Sequence, residues 1–179
     1  MMTRSIYGSG EGRLSSIKQD AWEPLPHPII IDSRASTSIL PLSWCTHVRT
    51  VETEASRRGE HYTAANGCKI YNKGERTVTM MSCEGHLRNM KFTSCDVERA
   101  LGSVSSIGKQ GHTVVFNAPG HQDGSYIYNI HSGERLEMKH NDGAYVLDTR
   151  VAPSNKQARP FAGQGRWTRG SRASAARAL

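Results

Sequence analysis

The chain has 179 residues, 36% of them hydrophobic and 22% charged, with 17 Gly and 7 Pro. That is enough for one core, and so turn-rich a composition excludes a coiled coil or a wholly disordered chain. The formal charge is +7, but Arg150, Lys156, Arg159, Arg166, Arg169, Arg172 and Arg177 face no acid from position 150 onward, so residues 1–149 are balanced and their charge gives no sign of a nucleic-acid-binding fold.

The four cysteines, Cys45, Cys68, Cys83 and Cys95, form no Cys-x-x-Cys pair and have no His at zinc-site spacing, so neither a metal nor a cofactor is expected. No apolar run approaches the ~20 residues of a membrane span, and the N-terminus is polar. A cytoplasmic protein with reduced thiols is the expectation.

In chain order, residues 1–24 read as a flexible lead-in with few apolar side chains. Ile29-Ile30-Ile31 has the β-branched character of a buried strand and ends at Asp32. The stretches 60–64 and 68–71 flank Ala65-Asn66-Gly67, and Asn-Gly predicts a hairpin with a type I′ turn. Strands are expected over 76–81 and 87–95, turning near Glu84-Gly85. Leu101, Val104 and Ile107 are spaced three apart, which predicts a helix from Leu101 to Gln110 that ends at Gly111. Runs 112–117, 126–130, 135–140 and 144–149, separated by Gly124, Ser132-Gly133 and Asp142-Gly143, predict an antiparallel meander. From about Pro153 the chain reads as a disordered basic tail or linker over 151–179, able to make at most weak electrostatic contact with nucleic acid.

Asp32 carries the most chemical interest. In Asp32-Ser33-Arg34-Ala35-Ser36 an acid, hydroxyls and a small residue share a tight loop after a buried strand. An Asp there also serves simply to cap a turn through its own side chain. Other arrangements are weaker. There is no Gly-x-Ser-x-Gly elbow for a Ser-His-Asp site. The run Gly8-Ser9-Gly10-Glu11-Gly12 lacks a preceding strand, and Trp22, Trp44 and Trp167 are too far apart in sequence to form a base-stacking platform.

The order of these features resembles the retropepsin-like aspartic protease domain of copia-like retrotransposon polyproteins. Asp32-Ser33-Arg34-Ala35 resembles the Asp-Ser/Thr-Gly-Ala active-site loop of that family. The hairpin over 62–71, with Thr63, Ala64, Ala65, Asn66 and Gly67 at its tip, resembles the flap, and Ala100-Leu101-Gly102 resembles the hydrophobic-hydrophobic-Gly motif that supports the loop from below. The likeness spans residues 25–150. It implies a mainly β fold: a small closed retropepsin-like β domain over 25–111 with one short helix, followed by a β-meander extension over 112–150.

The resemblance also implies a homodimer acting on an extended peptide or polyprotein. Asp32 would be the catalytic carboxylate, Ser33 would lock the two loops together, Ala35 would pack beneath, and the flap would close on the substrate. Two carboxylates about 3 Å apart share one proton, so that one acts as base on a water while the other polarises the scissile carbonyl. Arg34 stands where the family has Gly. Its side chain crowds the approach of the second subunit, and its charge opposes the shared proton. The alternative reading is therefore an inactive remnant that only dimerises or binds peptides.

Overall fold

The computed structural model describes residues 22–64 and 66–154 and is mainly β. In chain order the first strands are β1 (Glu23–Pro24), β2 (Ile29–Asp32) and β3 (Ile39–Pro41). A one-turn helix α1 (Glu54–Arg57) precedes the hairpin β4 (His61–Thr63) and β5 (Lys69–Tyr71). The long pair β6 (Glu75–Ser82) and β7 (Leu87–Cys95) leads to β8 (Leu101–Ser103), helix α2 (Val104–Lys109) and β9 (His112–Val115). Last come β10 (Ser125–Asn129), β11 (Arg135–Asn141), β12 (Ala144–Leu147) and β13 (Thr149–Val151). Eleven of these strands form one mixed sheet in the order β1-β13-β6-β7-β3-β8-β2-β12-β11-β10-β9, and β4 and β5 form a separate two-stranded sheet.

The core is packed by alternate residues of these strands. Ile29 and Ile31 of β2, Val78 and Met80 of β6, Phe92 of β7 and Leu147 of β12 all belong to one buried cluster. Burying each such side chain contributes about 1.5 to 3 kcal/mol. Ile30 and Asp32, which alternate with Ile29 and Ile31, lie half-buried on the opposite face. The meander β9-β10-β11-β12 is antiparallel throughout, and β12 pairs with β2 through Val146↔Ile30 and Leu147↔Ile29. The meander therefore belongs to the same sheet as the strand that ends at Asp32.

Several expectations are revised. The helix expected from Leu101 begins only at Val104, because Leu101-Gly102-Ser103 pairs in parallel with Ile30-Ile31-Asp32. Ser103 instead caps the helix, accepting the Ser106 N–H on its hydroxyl at 3.1 Å. A second helix, α1, joins the single one expected; it is held by a reciprocal cap between Thr53 and Ser56 and buries no residue. The hairpin at Asn66-Gly67 forms, but only Gly67 has a positive φ, of 80°. Its turn closes through the Gly67 N–H to the Ala64 carbonyl and the Ala64 N–H to the Cys68 carbonyl, both 2.9 Å, in place of a type I′ turn. The run 144–149 is broken at Asp148: β12 ends at Leu147 beside β2, and β13 begins at Thr149 beside β6.

Candidate active site

The loop after β2 is held by main-chain geometry and by serine hydroxyls from distant sequence. The Ile30 N–H donates to the Ala100 carbonyl at 3.0 Å, and β8 continues alongside so that Asp32 faces Ser103. At this close approach any residue larger than glycine at 102 would displace the tip of the Ile31 side chain. A Cβ there would lie 2.8 Å from Ile31 Cδ1 and 3.4 Å from Ile29 Cγ2. Ala100, fully buried, and Gly102 thus set the depth of the strand that carries Asp32.

Ser103 is the centre of this support. Its side chain is fully buried and its hydroxyl donates to the Ala35 carbonyl at 2.7 Å while accepting the Ser106 N–H of α2. Its own N–H donates to Ser38 Oγ at 3.0 Å. One residue therefore fastens the far side of the 32–35 loop, the start of β3 and the N-terminus of α2.

The Asp32 carboxylate is half-buried and its Oδ1 accepts the Arg34 N–H at 2.7 Å. This is the turn-capping role open to any Asp in such a loop, and it fixes the carboxylate relative to the loop backbone. Among the described residues Oδ2 has no hydrogen-bond partner, which leaves one oxygen of the acid available. Ser33 and Arg34 are exposed and Ala35 half-buried. Cys45 and Asp142 are the only described non-glycine residues at positive φ, so Arg34 occupies its glycine-like position without backbone strain. The cost of a non-glycine residue here lies in its side chain alone.

The structure brings Asp32, Ser33, Arg34 and Ala35 together with Ala100, Leu101 and Gly102, and the hairpin forms a two-stranded sheet of its own. Thr63, Asn66 and Gly67 are exposed, Ala64 is half-buried, and Ala65 lies outside the described residues. The Asn72 N–H closes the base of the hairpin on the Glu60 carbonyl, and the Lys73 N–H ties it to β7 at the Ser94 carbonyl, both 2.9 Å. Among the described residues no hydrogen bond or ion pair joins it to the 32–35 loop.

Sequence reasoning did not single out Ser103 and Ser38. A Ser three positions before Ser106 and directly before the helical run is a helix-start signal that marks Ser103; Ser38 has no comparable local signature. The thiols nearest the core are chemically quiet, since burial pushes both Cys45 and Cys95 up to about 11. No cluster of three potential metal ligands occurs among the described residues, and no described helix is long and apolar enough to cross a membrane. Compared with protein-family models, with curated proteins and with solved structures, the chain matches none.

Proposed function

We propose that this chain carries a retropepsin-like aspartic endopeptidase domain derived from a retrotransposon polyprotein, in which Asp32 supplies one carboxylate of a two-fold dyad in a homodimer. The observation that carries this reading is the seating of Asp32. It stands at the end of a strand backed by Ala100-Leu101-Gly102, in a loop whose opposite end is bound by the buried Ser103 hydroxyl. An acid used for proton transfer must be held by residues that are themselves fixed, and this loop is fixed at both ends. The free Oδ2 supplies the position from which a water would be activated.

A second reading has its own observation. Asp32 Oδ1 is already engaged by the Arg34 N–H, and Arg34 adds an exposed cation two residues from the acid. The engaged oxygen is tied to its own loop, and the Arg34 side chain takes up room through which a second loop would approach. On this reading the domain pairs with itself or with peptides but does not cut them.

The experiment is a pepstatin-sensitive cleavage assay at mildly acidic pH on the parent chain, on Arg34→Gly, and on Arg34→Gly combined with Asp32→Asn. Low activity in the parent, a rise in Arg34→Gly and loss in the double variant support the dyad. Equal activity in the two variants removes Asp32 from the mechanism, and inactivity of all three favours the non-cutting domain.

A further inference from the structure

Asn66-Gly67 is the one Asn-Gly pair in the chain. It stands in the turn of the β4-β5 hairpin, both residues are exposed, and a Cβ built on Gly67 would meet nothing within 4 Å. A peptide nitrogen that follows Asn can attack the side-chain carboxamide one residue back, and Gly offers that nitrogen with no side chain to hinder the approach. The other described asparagines, Asn72, Asn89, Asn117, Asn129 and Asn141, are each followed by a residue that carries a Cβ.

Two contacts act on the pair in opposite senses. Asn66 Oδ1 accepts the Cys68 N–H at 3.0 Å, which folds the carboxamide back along the main chain past Gly67. The Gly67 N–H donates to the Ala64 carbonyl at 2.9 Å, and this bond must open before the nitrogen can turn on the carboxamide. Opening it is a local event. The hairpin is a sheet of its own, held by the pairs His61↔Tyr71, Tyr62↔Ile70 and Thr63↔Lys69, and no residue of β4 or β5 is buried. A turn with so little buried around it opens without the rest of the chain unfolding.

We propose that Asn66 is a self-modification site, at which the Gly67 nitrogen bonds to Asn66 Cγ and closes a five-membered succinimide ring. The side-chain –NH2 and the Gly67 amide proton leave together as ammonia. Water then adds to one of the two ring carbonyls and breaks its bond to nitrogen. Opening at the side-chain carbonyl leaves aspartate at 66. Opening at the main-chain carbonyl leaves isoaspartate, in which the chain runs through the former side chain and is one methylene longer. Either product puts a carboxylate at the turn in place of an amide. The isoaspartyl form also makes the oxygen that Cys68 uses a main-chain carbonyl, so the turn cannot close as before. The eleven-stranded sheet has no member in this turn and keeps its register. None of these steps involves Asp32.

The test is to hold the full chain at mildly alkaline pH, digest samples with trypsin over time and measure the mass of the peptide 59–69, in which Asn66 carries the one amide side chain. That peptide is expected to gain the mass difference between an amide and an acid, faster as pH rises, and to become a substrate for an isoaspartate-specific methyltransferase. NMR shifts in the aged chain are expected to change within the β4-β5 hairpin and not in the eleven-stranded sheet. Gly67→Ala is expected to slow the conversion about tenfold. The proposal is overturned if peptide 59–69 of the folded chain stays unchanged while the same chain in urea converts, since the turn then stays shut. It is equally overturned by conversion at the same rate in Gly67→Ala, by an equal gain at Asn89 or Asn141, or by shifts that spread into the large sheet.

Discussion

The Ser103 hydroxyl donates to the Ala35 carbonyl at 2.7 Å across 68 positions of sequence, and the same oxygen accepts the Ser106 N–H in the first turn of α2. Removing it leaves a loop carbonyl and a helix N–H without their partner in a part-buried site. Ser103→Ala is expected to destabilise the fold by about 2 kcal/mol, read as a lower midpoint in urea unfolding. A change below a few tenths of a kcal/mol would show that the hydroxyl does not hold the loop.

Arg34→Gly separates stability from activity. Since Arg34 is free of positive-φ strain, glycine relieves nothing there and widens the conformational freedom of the unfolded chain. The variant is expected to be less stable by about 0.5 to 1 kcal/mol, even where peptidase activity rises. A higher melting temperature for Arg34→Gly would contradict this account of the loop.

His112 makes stability depend on pH. Burial, and after it the charge on Arg88, push its imidazole below the ordinary value of 6.5; Asn129 Nδ2 lies 3.2 Å from Nε2. The neutral form is favoured in the fold, so the unfolded chain binds more protons as pH falls through 6.5. Stability is therefore fully present above 6.5 and declines below it, toward the depressed folded value. Glu134, held below the ordinary carboxylate range by the Ser132 hydroxyl and then by Arg88, loses its contribution in a separate window, below 4.5. His112→Gln is expected to flatten the slope of the urea midpoint against pH just below 6.5 while leaving the acid limb in place. An unchanged slope would assign it to another group.

What the sequence made legible was local. Asn66-Gly67, Glu84-Gly85 and Asp142-Gly143 each mark a turn that forms, with Gly67, Gly85 and Gly143 at positive φ. Alternation in β6 likewise puts Val78 and Met80 on the core face, although Arg76 and Ser82 are buried on that face too. What escaped was non-local. Ile39-Leu40-Pro41 is too short to show a period, and it becomes a strand only by pairing with Thr93-Ser94-Cys95 in parallel. Leu101 has the spacing of a helix, but the main chain of β2 claims it as strand. Helix α1 buries nothing, so it leaves no hydrophobic pattern to find. At the candidate site, Asp32 and Gly102 were readable from their motifs, whereas the Ser103 and Ser38 bracing depends on contacts between distant segments.

Strand β1 lies antiparallel to β13, with Glu23 opposite Val151 and Pro24 opposite Arg150. The polypeptide thus enters and leaves the sheet side by side at one edge. A unit built this way behaves as a cassette: spliced into a longer chain, it loops out from a single point and holds its two flanks together without stretching either. Cutting on both sides would release it with its sheet whole, and joining its two ends by a short linker while opening a surface turn such as that at Asp142-Gly143 would give a circular permutant with the same strand neighbours.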